Sequence, residues 1–259
     1  MSLDPLQLAS QEQFNRQSRN YGSSHILADV SDVAAALEGV PLPTPGRALD
    51  VATGGGHTAV WLASQGWNVT ASDLSSSMLE RATELAASRG LVLETALHVA
   101  EKLPYEDGTF QLVTCRVAAH HFSSPEAFVG EVKRVLAPGG LFLLIDGSVP
   151  DEEPEAAAWI HAVEKWRDPS HGSFLSPGQW SLLCRNAGLD ILKCETAPYK
   201  QPDLNWYFEA AGTSPENREE VLKLIASAPE GARKAFWLGE EDGKIVWWWM
   251  RLSLLARKS

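Results

Sequence analysis

The chain has 259 residues, 44% of them hydrophobic, enough to bury one substantial core. Asp and Glu number 33 against 22 Lys and Arg, a formal charge of -11, and no Lys/Arg run makes a basic patch. That balance argues against nucleic acid and anionic membrane surfaces as partners. Three cysteines without C-x-x-C spacing, a polar stretch from Met1 to Ser24 and no apolar run of about 20 residues predict a reduced, cytoplasmic, unprocessed protein that crosses no membrane.

In chain order, Ile26 to Leu37 reads as a helix with Ile26, Val30, Val33 and Leu37 on one face. Pro41, Pro43, Pro45 and Gly46 end it. An alternation follows: strand Arg47 to Ala52, helix His57 to Gln65, strand Trp67 to Ala71, helix Ser75 to Arg89, strand Leu91 to Val99. Strand Phe110 to Cys115, helix Pro125 to Leu136 and strand Leu141 to Ile145 continue it. This rhythm requires parallel strands with right-handed crossovers, a doubly wound sheet. The second half is less regular. Pro154 to Lys165, Pro177 to Ala187 and Glu216 to Ala226 read as helices, Asp190 to Glu195 as a strand. Lys244 to Leu255 reads as one long strand, antiparallel to the rest and carrying Trp247, Trp248 and Trp249.

The most informative stretch is Asp50-Val51-Ala52-Thr53-Gly54-Gly55-Gly56-His57-Thr58-Ala59, between the first strand and its helix. Open sheets bind ligands at this carboxyl edge, and glycines let backbone approach closely. Gly54 to Ala59 also matches the dinucleotide pattern G-x-G-x-x-A. Asp50 argues for a different ligand, because a carboxylate at the loop repels a diphosphate but suits an ammonium and a sulfonium. Asp73, about 20 residues on, ends the second strand where a carboxylate accepts ribose hydroxyls.

Five blocks in order resemble the class I S-adenosylmethionine-dependent methyltransferases, particularly the ubiquinone/menaquinone-type (type 11) small-molecule group. They are Ala48 to Gly56; Ser72-Asp73-Leu74-Ser75 with Met78-Leu79; Ala100 to Tyr105; Phe110 to Cys115; and Val132 to Leu136 with Pro138-Gly139-Gly140. The resemblance implies a Rossmann-like, doubly wound α/β fold: a mostly parallel seven-stranded sheet with an antiparallel last strand. It implies one domain, with lid helices in 1–45, a cofactor-binding half in 46–148 and an acceptor-side half in 149–259. The implied cofactor is S-adenosylmethionine. Asp50, Ala52, Thr53, Gly54 and Gly56 would hold its methionine portion, with the Cys115 backbone beside it. Asp73 would take the ribose, Leu74, Met78, Ala100 and Glu101 the adenine, and Tyr21 would cover the cofactor, with Phe14 in the same lid. Two departures stand out: Ala52 occupies a usual glycine position, and Val99 replaces a frequent Asp.

Methyl transfer from a sulfonium needs alignment and water exclusion, with a base only where the acceptor must lose a proton. His120 and His121 follow the fourth strand at the same edge. They either take that proton or orient loop backbone. Arg116 either orients an anionic acceptor or pairs with a carboxylate, and His171 either lines the acceptor pocket or sits in a surface turn. Adjacent histidines with no completing Cys or Glu predict no metal site. The expected partner is a small-molecule acceptor, with the chain a monomer or homodimer. Two alternatives remain open here: an NAD(P)-dependent oxidoreductase, and a non-catalytic S-adenosylmethionine-binding protein.

Overall fold

The computed structural model describes residues 3–20 and 26–259. Its first helix, α1 (Pro5–Gln17), forms from a polar segment because its start is well capped. Asp4 accepts the N–H groups of Leu6 and Gln7, Gln7 reaches back to the Asp4 N–H, and Pro5 occupies the first turn. The helix expected over Ile26 to Leu37 is broken. A short 3-10 turn, Ile26–Ala28, precedes α2 (Ser31–Leu37), which buries Val33 and Leu37.

Five strands then run parallel: β1 (Arg47–Val51), β2 (Asn68–Asp73), β3 (Glu94–Leu97), β4 (Phe110–Arg116) and β5 (Leu136–Ser148). They are connected through α3 (His57–Ser64), α4 (Ser76–Ser88) and α5 (Pro125–Val135). β3 is shorter than the run suggested, since it is a largely exposed edge strand. The second half adds α6 (Pro154–Arg167), α7 (Pro177–Asn186), β6 (Leu189–Lys200), α8 (Leu204–Ala211), α9 (Pro215–Ala226) and α10 (Glu230–Ala235). A small hairpin, β7 (Gly239–Glu241) and β8 (Lys244–Val246), precedes the last strand, β9 (Trp248–Lys258). The main sheet has seven strands in the order β3-β2-β1-β4-β5-β9-β6, with β9 antiparallel to both neighbours. This is the expected Rossmann-like, doubly wound fold.

The run from Lys244 to Leu255 is therefore two strands rather than one. Asp242 and Gly243, at φ 49° and 73°, turn the hairpin, and Trp247 breaks the path before β9. Trp247 packs its ring 4.7 Å from that of Tyr207, in a cluster that also buries Trp159, Phe174, Phe236 and Trp249.

β1 and β4 are neighbours, yet the chain leaves them toward opposite ends of the sheet, which opens a crevice at their carboxyl ends. Both strands end in strain. Ala52 after β1 has φ 54° and Val117 after β4 has φ 53°, the left-handed region that side chains avoid. The methyl group at the usual glycine position is thus carried in a conformation suited to glycine. Gly56, at φ 83°, is tighter still: a Cβ there would lie 2.6 Å from the Ala82 Cβ and 2.7 Å from its Cα. Gly56→Ala should lower unfolding free energy by roughly 2–4 kcal/mol, combining left-handed strain with overpacking of α3 on α4. Denaturant melts of the two proteins check this.

Candidate functional site

Two hollows open at the carboxyl edge of the sheet. The first encloses about 900 Å³, part of it open to solvent, above the β1 loop. Ala52, Thr53 and Gly54 line it with Asp73, Leu74, Met78, Ala100 and Glu101. Asp73 ends β2 with one oxygen 2.9 Å from the Gly54 N and the other 2.9 Å from the Ser75 N. It therefore fastens the glycine loop to the start of α4 and still faces the crevice. The Ser75 hydroxyl caps α4 through the Met78 N–H.

Other expected residues stand behind this wall. Asp50 is buried beneath the loop, where it accepts hydroxyl hydrogen bonds from Thr53 and Thr114, each 2.6 Å. Thr53, rather than Asp50 itself, lines the crevice. Gly56 serves the α3–α4 packing described above. The Cys115 side chain is in the core, and the lining passes to its neighbours Arg116, Val117 and Ala118. Val99 also lines the crevice. Tyr21 lies outside the described residues. Burial pushes the carboxyls of both Asp50 and Asp73 up to about 6, against the hydrogen bonds that favour ionisation.

The second hollow lies between α1, the end of β4 and the second half of the chain. Its walls include His120, Arg167, Asp168, Tyr199, Trp206, Trp249 and Arg251. Four residues line both hollows: Phe14, Leu27, Val117 and His121. The strained Val117 is thus at the junction, and the Phe14 ring meets the His121 ring edge-on at 4.9 Å.

The two adjacent histidines have opposite settings. His120 Nδ1 is 2.6 Å from Asp146, whose other oxygen accepts the His120 N–H at 2.8 Å. Burial disfavours a charged His120, but the Asp146 carboxylate outweighs it and holds the ring above the usual histidine value. His121 Nδ1 faces the Ser170 carbonyl at 2.9 Å and the Ser170 hydroxyl at 3.2 Å, so that nitrogen is the donor. Burial, and then the neighbouring His120, push His121 down to about 4. At neutral pH its Nε2 carries a lone pair. Ser170 Oγ in turn donates to Asp168 at 2.6 Å, linking His121 to a carboxylate.

Two expected acceptor residues are otherwise engaged. Arg116 is a clamp: it binds Asp32 at 3.0 Å through Nε and Nη2, and its Nη1 and Nη2 take the carbonyls of Leu27 and Asp29. Of its two sequence readings, pairing with a carboxylate is the one realised. His171 is an interior ring, beside Phe174 at 4.8 Å and His120 at 5.6 Å, and reaches neither hollow. It is neither a pocket lining nor a surface turn. Burial, then the surrounding histidines, hold it far below the usual histidine value. The residues that do line the second hollow from this region are Arg167 and Asp168, and Asp146 and Ser170 orient the histidines. Sequence spacing gave no sign of the Asp146 and Ser170 pairings, because those residues lie 26 and 49 positions from the rings they orient.

Residues 49–144 match the family model of the methyltransferase domain. An uncharacterized methyltransferase of Bacillus subtilis (strain 168), YcgJ, is 28% identical over 233 residues, covering 88% of this chain and 90% of the relative. A ubiquinone biosynthesis O-methyltransferase of Xanthomonas axonopodis pv. citri is 30% identical over 164 residues, 61% of this chain and 67% of the relative. The crystal structure of a proposed methyltransferase from Bacillus halodurans C-125 superposes with a TM-score of 0.81 at 31% identity, covering 88% of this chain and 99% of that one. With the glycine loop, the Asp73 carboxylate and the sheet order already described, these likenesses leave no role for the oxidoreductase alternative. The chain belongs to the class I S-adenosylmethionine-dependent methyltransferases.

Proposed function

We propose that the first hollow binds S-adenosylmethionine and that the second holds a small organic acceptor, with methyl transfer where they meet. The observation that carries this reading is the junction itself: Phe14, Leu27, Val117 and a neutral His121 wall both spaces. When bound, S-adenosylmethionine supplies an electrophilic methyl group on a sulfonium. The crevice fits such a ligand. Asp73, a buried carboxylate facing it, can accept ribose hydroxyls, and Leu74, Met78 and Val99 offer an apolar seat for a purine. A diphosphate fits poorly, because the arginine on that wall, Arg116, is already consumed by Asp32 and two carbonyls.

At the junction, Phe14 and Leu27 exclude water. His121 Nε2 takes the acceptor's proton, and the Ser170–Asp168 pair steadies the imidazolium that forms. His120, tied at two points to Asp146, holds the backbone that carries His121. A relative named as an O-methyltransferase is in keeping with an acceptor whose hydroxyl must be deprotonated. Calorimetry with S-adenosylhomocysteine and with NADH tests the cofactor reading: one-site binding of the first and none of the second is expected. Binding of NADH alone would overturn it.

A further inference from the structure

The second hollow is bordered by a buried guanidinium whose hydrogen bonds are incomplete, which says what kind of acceptor it takes. Its Arg167 is matched by Glu164 at 2.9 Å, and Asp168 is spent on the Ser170 N–H and hydroxyl beside His121. Arg251, from β9, is different. It shares a single carboxylate, Asp32, with Arg116, which holds that carboxylate at 3.0 Å through two nitrogens. Arg251 keeps one contact of 3.3 Å from Nη1. Its Nε is buried and has no hydrogen-bond partner among the described residues, and the residue is only 8% exposed. The guanidinium lies 3.5 Å from the centroid of the Tyr199 ring. Arg251 and Tyr199 also border an outer cleft with Asp29 and Glu195, but neither of those carboxylates pairs with Arg251 among the described residues. Arg116 and Arg251 share the Asp32 carboxylate, and Arg251 holds the weaker part of it, so among the described residues its guanidinium is under-paired; a buried, under-paired cation is costly unless a ligand completes it.

Resting on the reading of this hollow as the acceptor site, we propose that the acceptor is a small planar carboxylate. Its anionic group docks on Arg251 and its flat body lies between Phe14, Tyr199, Trp206 and Trp249. Arg251 is then the residue that selects acids over their neutral counterparts, and Asp168 discourages the anion from approaching His121 in the reverse orientation.

The test uses the whole protein saturated with S-adenosylhomocysteine, titrated with benzoate, phenylacetate and cinnamate and with the amide of each. At least one acid should bind about tenfold or more tightly than its amide, as a charge-assisted hydrogen bond allows. Arg251→Gln should remove that preference by weakening the acid alone, and Arg251→Lys should retain part of it. S-adenosylhomocysteine affinity in each variant reports that it has folded. Acids binding no better than amides, no acid binding at all, or a preference that survives Arg251→Gln would each overturn the proposal. Acids that bind through Arg251 but are never methylated when S-adenosylmethionine replaces the product would instead sink the acceptor-site reading and leave the anion site standing.

Discussion

His121→Ala should lower the rate of methyl transfer by a factor of about 10²–10⁴ when the acceptor is a hydroxyl or an acidic carbon, the range over which a positioned base contributes. S-adenosylhomocysteine affinity should change far less, because His121 is one wall of the first hollow, shared with the second, while Asp73, Leu74, Met78 and Val99 supply its ribose and purine seats. The effect depends on which ring nitrogen is available. Nδ1 is committed to Ser170, so Nε2 is left for the junction, and burial keeps the ring neutral down to about pH 4. The wild-type rate should therefore not fall between pH 8 and 5 on account of this ring. Single-turnover rates for both proteins across that range decide the matter. Equal rates would reduce His121 to a wall of the junction.

The second large effect concerns Asp73. Asp73→Ala should weaken S-adenosylhomocysteine binding by about 1.5–3 kcal/mol, the loss of charged hydrogen bonds to the ligand. The pH dependence has an uncommon sign. Burial raises this carboxyl from 3.8 to about 6, so the native chain binds its proton more tightly than the unfolded chain does. In the free protein the group stabilises the fold fully below pH 3.8, and that contribution is lost as pH rises through about 6. A ligand that hydrogen-bonds to the ionised form works in the opposite direction. Binding should weaken as pH falls from 7 to 5 and should release a proton near pH 6, read from the dependence of the calorimetric enthalpy on the buffer. Unchanged affinity in the variant, or no proton release, would remove Asp73 from the ligand's contacts.

Much of the cofactor-side architecture could be read from residue order, because it is local. Asp50 stands next to the end of β1 with the glycines close behind it, and Asp73 ends β2 with the helix cap Ser75 close behind it, so each group is a short contiguous segment. What lay hidden was which of two adjacent groups faces the space. Asp50 turns under the loop to meet Thr114, which lies 64 residues away, and no spacing rule predicts that partner. The acceptor side was far less legible. Arg116 and His171 stood out in the chain, but their settings depend on partners from distant elements, Asp32 for the first and His120 for the second; Arg167, which did not, is held by Glu164 one turn away and by the distant Tyr207 carbonyl. The division of the last aromatic run was readable in principle, since Asp242-Gly243 is a turn pair, but the continuous apolar stretch after it masked the break at Trp247.

The way α1 is fastened has a consequence for the reaction cycle. Gln11 donates to the Leu74 carbonyl, Gln13 to the Ala211 carbonyl, and Ser75 to Asn15, while Gln7 reaches Glu101. Three of these four fasteners are neutral on both sides, so ionic strength has little grip on them. Because Phe14 rides on the same helix and walls both hollows, displacing α1 would open the cofactor crevice and the neighbouring chamber together, whatever the salt concentration.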